Sequence, residues 1–527
     1  MRIELVQRSF LIWNFLPVVV TVIHCCLGFQ YLQLRTHNLR TTTTSISMKH
    51  NISTRKKFLI HWRGEKDAGY SKPFRQLEFE SAIAAELCLS TKFKPSSAIL
   101  DDGKSRISKN EEPEKRTVHF VNALNYTGEM SMPDENIEHF NEAMQFVSFA
   151  DDSIAVTRNN IIRTVERCSL VHAVYEIVAS SENLDDLAQR AVEDGGFADL
   201  KPGAVNEFAT WSLRARMYSE TDTVQDANSG NGRSKRYSSR ARSMTIEKES
   251  IKSLKSLLVQ FGGRVDLKNP DCKIYIFDGL VENESDGICC KILARRIATG
   301  PKTFSIAPTE RICITNTPLE PIASFVLCNI ARIKNYDKIL DPYAGSCATL
   351  LAAATIAPDS ETVGIEIAHN GYVNREHINR DFTSRSLKIP NKLICGDSTD
   401  PVVREDAKSA VGNDSFDAII ADPPYGIRES SSYNEMSPLE ELFTAIAFDR
   451  SDHSVVGKTS VTSYHKRLLK LGGRLVAFVP VTDEQILTEM LPSQMLTEQA
   501  GLKFEVSREQ PLNKKLSRWL VSYVSVK

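Results

Sequence analysis

An Asp-Pro-Pro-Tyr turn at 422–425 is the stretch of this chain whose residue types most clearly suggest a chemical role. It directly follows an apolar stretch. Pro423 and Pro424 have no backbone N–H groups, so their carbonyl oxygens and the Asp422 carboxylate form a pocket that only accepts hydrogen bonds. Such a pocket suits an exocyclic amine, whose two N–H groups need two acceptors, while the Tyr425 ring offers a surface for base stacking. The alternative interpretation is an ordinary Asp-Pro turn beside a core tyrosine.

A second pattern consists of carboxylates at the ends of successive apolar stretches: Asp341, Glu366 and Asp397. Asp341 opens the small-residue turn Asp-Pro-Tyr-Ala-Gly, and a turn of this type before a helix lets a ligand approach free backbone N–H groups. Glu366 is placed to accept both ribose hydroxyls of a nucleoside, and Asp397 to contact the edge of an adenine. Each acid alone could instead cap a helix or lie on the surface; the three together favour a nucleoside site.

These residues must be positioned by the region after about residue 306, where strand and helix patterns alternate. This alternation predicts an α/β fold with a doubly wound, Rossmann-like sheet. The predicted strands are 338–340, 362–365, 392–395, 416–421, 474–479, 504–507 and 518–524, and the predicted helices are 319–333, 348–357, 371–382 and 462–471. The last two strands have no room for a helix between them, so an antiparallel edge is expected.

The preceding residues, 58–304, mix short strand and helix patterns and predict an α+β region with two polar loops, at 100–117 and 219–243. The second loop carries Arg233, Lys235 and Arg236 beside Tyr237. It is interpreted either as a solvated loop or as an RNA-backbone contact with an aromatic ring available for stacking.

Length and composition narrow the class of protein. A chain of 527 residues predicts two to four domains. Its 65 Lys and Arg against 66 Asp and Glu give a net charge of -1, which argues against a protein that binds nucleic acid by bulk charge alone. The 11 cysteines never form a CxxC motif, so we predict no metal site, no disulfide framework and a reducing compartment.

Residues 1–57 admit two interpretations. An apolar stretch at 10–29 is followed by an acid-free, Thr-rich and basic stretch at 35–57, which is typical of an organellar presequence and would place the protein in a plastid or mitochondrion. Alternatively Met48 is the true start, the preceding residues are a spurious extension, and the protein is cytoplasmic. No other stretch is apolar and long enough to span a membrane, so no stable membrane insertion of the mature protein is expected.

The motifs together resemble those of the class I S-adenosylmethionine-dependent methyltransferases that modify exocyclic base amines. Further stretches at 263–271, 317–321 and 426–429, and Ser517-Arg518 near the carboxyl end, are similar to the catalytic subunit of the tRNA (guanosine-10-N2)-methyltransferase family. The resemblance implies a ferredoxin-like domain at 58–190, a THUMP RNA-binding domain at 191–304 and a methyltransferase domain at 305–527. Two positions depart from the family pattern: Cys347 stands where Gly is frequent, and Leu319 where Met is frequent.

This resemblance also implies roles for individual residues. The implied cofactor-binding residues are Asp341, Tyr343, Gly345, Glu366, Asp397 and Thr317, and the implied catalytic residues are Asp422, Pro423, Pro424 and Tyr425. We further predict tRNA phosphate contacts from Arg264 and Lys268, together with Arg233, Lys235 and Arg236.

The function implied is transfer of a methyl group from S-adenosylmethionine to the N2 amine of a tRNA guanosine at position 10, with a small zinc-binding activator subunit as partner. Ribosomal RNA guanine-N2 methylation, adenine-N6 methylation and a non-catalytic tRNA-binding scaffold remain open as alternatives.

Overall fold

The computed structural model describes residues 58–64, 69–88, 118–122, 143–149, 156–193, 195–203, 209–217, 247–282, 289–315, 318–367, 373–425, 436–451 and 467–526. The predictions for the presequence, for both polar loops, for Arg233, Lys235 and Arg236, for Thr317 and for the 426–429 stretch therefore lie outside the described residues. Across the described ranges, no helix combines the length and the apolar character needed to cross a bilayer.

An eight-stranded sheet organises the amino-terminal part, in the order β2-β3-β1-β4-β8-β7-β5-β6. Its strands are β1 (Phe58–Trp62), β2 (Val118–Asn122), β3 (Met144–Phe149), β4 (Val171–Ser181), β5 (Thr210–Met217), β6 (Arg264–Val265), β7 (Cys272–Glu282) and β8 (Cys289–Thr299). The accompanying helices are α1 (Arg75–Glu86), α2 (Arg158–Arg167), α3 (Leu184–Glu193) and the short α4 (Lys255–Leu258). Since β4 pairs with β8, one continuous sheet spans the residues on both sides of position 190, and the domain boundary proposed there stays a prediction.

A seven-stranded sheet organises the carboxyl-terminal part, in the order β11-β10-β9-β12-β13-β15-β14. Its strands are β9 (Lys338–Asp341), β10 (Glu361–Glu366), β11 (Lys392–Cys395), β12 (Phe416–Ala421), β13 (Leu469–Thr482), β14 (Leu502–Asn513) and β15 (Leu516–Ser525). The pairs among β9 to β13 are parallel, whereas β15 runs antiparallel to both β13 and β14. This is the doubly wound α/β sheet with an antiparallel edge that the sequence predicts, so the predicted fold class is confirmed.

Helices cover both faces of this second sheet: α5 (Pro321–Ile330), α6 (Ala348–Ile356), α7 (Arg375–Thr383), α8 (Pro401–Ser409), α9 (Pro438–Ser451), α10 (Leu487–Met490) and α11 (Gln494–Ala500). Buried side chains of α5, α6 and α7 pack on one face, and those of α8, α9 and α11 pack on the other. A sheet buried on both sides explains why strands such as β12 are continuously apolar rather than alternating.

One predicted helix, 462–471, is wrong over its described end, because residues 469–471 begin strand β13. The two Gly residues at 472 and 473 mark a backbone irregularity beside β12 rather than the end of a helix: Gly472 has a positive φ, and the register of the β12–β13 pair shifts here. Helices α8 and α9 were not among the predicted helices. Both helices begin with proline, which is favoured in the first helical turn.

The two sheets are joined through buried polar contacts between their helices. Glu78 of α1 accepts hydrogen bonds from the backbone N–H groups of Ser169 and Leu170 and from the Asn329 side chain of α5. Arg167 of α2 donates to Asn329 and to the backbone carbonyl of Ile333. Burial raises the pKa of Glu78, although these donors oppose the shift. The amino-terminal part and the second sheet therefore share a hydrogen-bonded interior.

Candidate functional site

The turn after β9 is organised around a buried carboxylate. Asp341 is 1% exposed, accepts a hydrogen bond from the Tyr343 backbone N–H at 3.0 Å, and accepts another from the Thr349 hydroxyl. Burial raises the pKa of Asp341 to about 7; these two hydrogen bonds oppose the shift, and the charges of Asp422 and Glu366 add to it. Near neutral pH, the protonation state of Asp341 therefore depends on the charge of the groups or ligands beside it.

The same turn brings the backbone into an unusual conformation at Gly345 and Cys347. Their φ angles are +49° and +64°, and Cys347 is the residue that precedes helix α6. A side chain in this left-handed region costs about 1–2 kcal/mol, a cost that glycine at position 347 would avoid. A Cβ added at Gly345 would meet nothing nearer than the Thr315 methyl at 3.9 Å, so the turn leaves space for a ligand beside its backbone.

Glu366 and Asp397 follow at the carboxyl ends of β10 and β11, but in different settings. Glu366 is half-buried and accepts the Gly345 backbone N–H at 2.9 Å, which ties the end of β10 to the turn after β9. Asp397 lies two residues beyond the end of β11, is exposed, and accepts hydrogen bonds from the backbone N–H and hydroxyl of Thr399. Its present contacts are those of a local turn before α8, and a cofactor contact by Asp397 stays a prediction.

Tyr343 lies between this turn and the second face of the sheet. Its hydroxyl donates to the backbone carbonyl of Pro438 at 2.9 Å, at the beginning of α9. Burial raises the pKa of Tyr343, and a contact with Ser398 partly opposes this. The side chain thus connects the β9 turn to two neighbouring loops, so a ligand contact from Tyr343 would involve its ring rather than its hydroxyl.

The Asp-Pro-Pro-Tyr turn begins immediately after β12, which lies beside β9 in the sheet. The Tyr425 hydroxyl donates to Asp422 Oδ1 at 2.8 Å, while Pro423 is buried and Pro424 is half-buried. Burial raises the pKa of Tyr425, and the charge of Asp422 raises it further. The turn therefore holds a neutral phenol against a carboxylate, at the switch point where doubly wound sheets bind ligands.

Arg518 of β15 is a site residue to which the sequence analysis assigned no role. Its guanidinium donates to Gln510 at 2.6 Å and to Glu320 at 2.5 Å, and it lies 4.3 Å from the centre of the Phe478 ring. Burial disfavours the charge of Arg518, yet the hydroxyl of Tyr425 and the acids Glu320 and Asp422 raise its pKa. A sequence signal was available, because an arginine within the apolar run of β15 must find buried partners.

The predicted RNA-contact residues that the structure describes lie on the first sheet. Arg264 is in the two-residue strand β6, and Lys268 follows in a turn held by Asp266; both side chains are exposed. Within the described part of the chain, no cluster of His, Cys, Asp and Glu is arranged to hold a metal ion.

Comparison with known protein families first indicates a methyltransferase domain. Residues 308–470 match the family model described as "RMKL-like, methyltransferase domain", which covers the turn after β9, strands β9 to β12 and the Asp-Pro-Pro-Tyr turn. Among named relatives, the chain is 28% identical over 311 residues to tRNA (guanine(10)-N(2))-methyltransferase TRMT11 of Xenopus laevis, covering 53% of this chain and 61% of that protein. It is 27% identical over 318 residues to human TRMT11, covering 53% and 64% respectively.

These relatives confirm the resemblance to tRNA guanine-N2-methyltransferases, and the chain spans less than two thirds of their length. Among solved structures, TrmN of Thermus thermophilus is 17% identical with a TM-score of 0.34, covering 73% of this chain and 90% of that one. The assignment of the fold rests on the strand order and pairing described above.

Proposed function

We propose that this chain transfers a methyl group from S-adenosylmethionine to the exocyclic N2 amine of a guanosine in tRNA, at position 10. The observation that carries this proposal is the placement of the Asp422–Tyr425 turn beside the Asp341 turn, at the carboxyl ends of neighbouring parallel strands. The amine-binding and cofactor-binding elements thus share one edge of the sheet. The TRMT11 relatives support the choice of tRNA guanine as the substrate.

The residues present fit S-adenosylmethionine by their chemistry. The charges of Asp422 and Glu366 both raise the pKa of Asp341, so this edge of the sheet is rich in carboxylates and favours a cationic ligand. Space beside Gly345 allows close approach to the backbone. Glu366, which is tied to this turn through the Gly345 N–H, would accept the ribose hydroxyls. When bound, the cofactor supplies a methyl group on a positively charged sulfur.

The chain's own contribution to the reaction is to orient a weak nucleophile. The N2 lone pair of guanine is delocalised into the ring, and acceptors for both N–H groups favour a more tetrahedral nitrogen. Asp422 and the Pro423 carbonyl would accept these two hydrogen bonds, with the Tyr425 ring stacked on the base. The Tyr425 hydroxyl donates to one Asp422 oxygen, which fixes the carboxylate for this role. The extra amine proton is lost after transfer, when the nitrogen is far more acidic.

The test compares Asp422→Asn with the unchanged protein in two assays: single-turnover methyl transfer to tRNA lacking the modification, read by mass spectrometry of nucleosides, and equilibrium cofactor binding. The substitution turns an acceptor into an N–H₂ donor that faces a donor amine. A mismatched buried pair costs about 1–3 kcal/mol, so we expect transfer to fall about tenfold to a hundredfold with cofactor affinity retained.

Three outcomes would contradict parts of the proposal. Unchanged turnover in Asp422→Asn would remove the role of Asp422, and methylation at adenine N6 or of ribosomal RNA alone would replace the substrate. Cofactor binding without any methyl transfer by the unchanged protein, in the presence of its partner, would favour the scaffold alternative.

The proposal includes a partner, a small zinc-binding activator subunit that pairs with an edge strand of the second sheet. Strands β11 and β14 form the two edges of this sheet, and an edge strand is where a strand of another chain can be added. Full activity of the purified, monodisperse chain on a tRNA transcript would show that no such subunit is required.

A further inference from the structure

A cavity of about 560 Å³ lies beside the β14–β15 hairpin, at the same edge of the sheet as the proposed catalytic turn. It is lined by the end of β13, the residues that lead into α10, and both hairpin strands. The lining residues relevant to its chemistry are Trp519, Ser517, Glu509, Asp483, Lys514 and Lys515. Its volume lies within the range of pockets that hold small organic ligands.

Strand β15 relates this cavity to the catalytic turn. Successive side chains of a strand alternate between its two faces. Arg518 contacts Tyr425, Glu320 and Gln510, whereas its neighbours Ser517 and Trp519 line the cavity. The cavity therefore lies on the face of β15 opposite to Arg518. It shares with Tyr425 the carboxyl edge of the sheet, which an RNA strand extending from the catalytic turn would cross to reach it.

The hairpin turn between β14 and β15 consists of residues that are unusual for a loop of its length, and their positive charges suit an anionic ligand. Asn513 pairs with Leu516, so Lys514 and Lys515 form a two-residue loop, and both side chains are exposed. Such loops favour Asn or Gly with a positive φ, yet neither lysine has one. Two adjacent like charges in place of the favoured residues are a local conflict of the kind found at functional positions.

The walls of the cavity offer complementary groups for a base. Trp519 is half-buried, packs on the core with part of its ring, and lines the cavity. Glu509 accepts the Ser517 hydroxyl at 2.5 Å, and together with Asp483 it provides acceptors for the N–H groups of a base. An aromatic wall, carboxylate acceptors and lysines at the rim match the three parts of a nucleotide contact: stacking, base edge and phosphate.

We propose that this cavity binds a second nucleotide of the substrate RNA, apart from the one at the catalytic turn, with its base on Trp519 and its phosphate at Lys514 and Lys515. The proposal rests on the proposed function, because it assigns the second nucleotide to the same RNA substrate. It adds an RNA contact on the methyltransferase sheet itself, apart from Arg264 and Lys268 on the first sheet.

The experiment measures tRNA binding by the full chain between about 50 and 200 mM salt, for a Lys514→Ser, Lys515→Ser double variant and for Lys503→Ser. Lys503 is an exposed lysine at the far end of the same hairpin, paired with Val524, and serves as the matched control. We expect the double variant to bind more weakly and its salt slope to fall by about 1–2, while Lys503→Ser and the cofactor affinities of all variants stay unchanged.

A second pair of variants tests the stacking contact. Trp519→Ala is expected to weaken tRNA binding about tenfold, whereas Trp519→Phe keeps a stacking face and most of the affinity. Because the lysines are exposed, their substitution leaves the fold intact and keeps the test valid if Trp519→Ala fails to fold.

The results separate the cavity from the proposed function. If the unchanged protein methylates tRNA guanosine but the lysine variants bind tRNA with wild-type affinity and salt slope, the cavity proposal is wrong and the function stands. If no N2-methylguanosine forms but the lysine and tryptophan variants still weaken RNA binding, the cavity proposal stands and the function fails. An unchanged protein that binds no RNA overturns both.

Discussion

The charge of Asp341 makes a specific prediction about stability and pH. Burial raises its pKa to about 7 in the folded protein, against an ordinary value of about 4 in the unfolded chain. The folded state therefore binds more protons in this window, and stability falls as the pH rises from about 4 to 7. One pKa unit corresponds to about 1.4 kcal/mol, so the contribution of Asp341 changes by about 4 kcal/mol between these limits.

The substitution Asp341→Asn removes this dependence and keeps the shape of the site. The amide oxygen can accept the Tyr343 backbone N–H, and the amide N–H₂ can donate to the Thr349 hydroxyl, which then acts as an acceptor. At pH 5 we expect the variant to be no more stable than the unchanged protein. At pH 8 it should be the more stable of the two by about 1–3 kcal/mol, because it carries no buried charge.

The assay is chemical denaturation of the ligand-free full chain and of the variant at pH 5, 6, 7 and 8. Other buried acids, such as Glu78, are present in both proteins, so the difference between them isolates Asp341. A difference in unfolding free energy that is the same at pH 5 and pH 8 would refute the reasoning, since it would mean that Asp341 does not change its charge in the folded protein over this range.

Three further predictions concern other parts of the chain. Arg518→Lys should lower single-turnover methyl transfer about tenfold with cofactor affinity unchanged, since the lysine cannot hold Tyr425 and the other buried partners together; equal rates would contradict this. Ala substitution of both Arg264 and Lys268 should weaken tRNA binding and reduce the slope of its salt dependence by about 1–2. An unchanged slope would mean that these two residues make no phosphate contact. Amino-terminal sequencing of the native protein should find the start near residue 48, with diffuse fluorescence of a tagged full-length copy, if the protein is cytoplasmic. If the presequence hypothesis holds, the start should lie between about 29 and 58, with organellar fluorescence.

The first four strands of the second sheet were predicted closely because they are apolar and short. Strands β11 and β12 match the predicted bounds, β9 differs by one residue at one end, and β10 differs by one residue at each end. Strands β13, β14 and β15 are 14, 12 and 10 residues long and extend beyond the predicted bounds. The order of the strands could be anticipated only as a class, since the pattern indicates alternation but not which strands become neighbours. Helix α9 was missed because its apolar positions surround much of the helix and give little periodicity.

Some residues of the proposed site could likewise be identified from the sequence nearby, and others only from the folded structure. The Asp422–Tyr425 turn and the acids Asp341 and Glu366 were found because their residue types carry chemistry within a few positions of a strand end. Arg518 and the cavity beside Trp519 depend on the pairing of β13, β14 and β15, which brings residues far apart in the chain together. The apolar run around Arg518 indicates that this arginine needs buried partners, but which residues those partners are emerges only from the folded structure.

The buried contacts among Glu78, Arg167 and Asn329 have a consequence for how the chain would choose its target. Asn329 bonds to both Glu78 and Arg167 across the junction, and parting the two sides would take a hydrogen-bond partner from each of these buried charges. The first sheet is thereby held at a fixed spacing from the catalytic turn. If one end of an RNA binds on the first sheet, only the nucleotide at the matching distance would reach the catalytic turn. The position of the modified guanosine would then be selected by its distance from the bound end of the RNA as well as by its base.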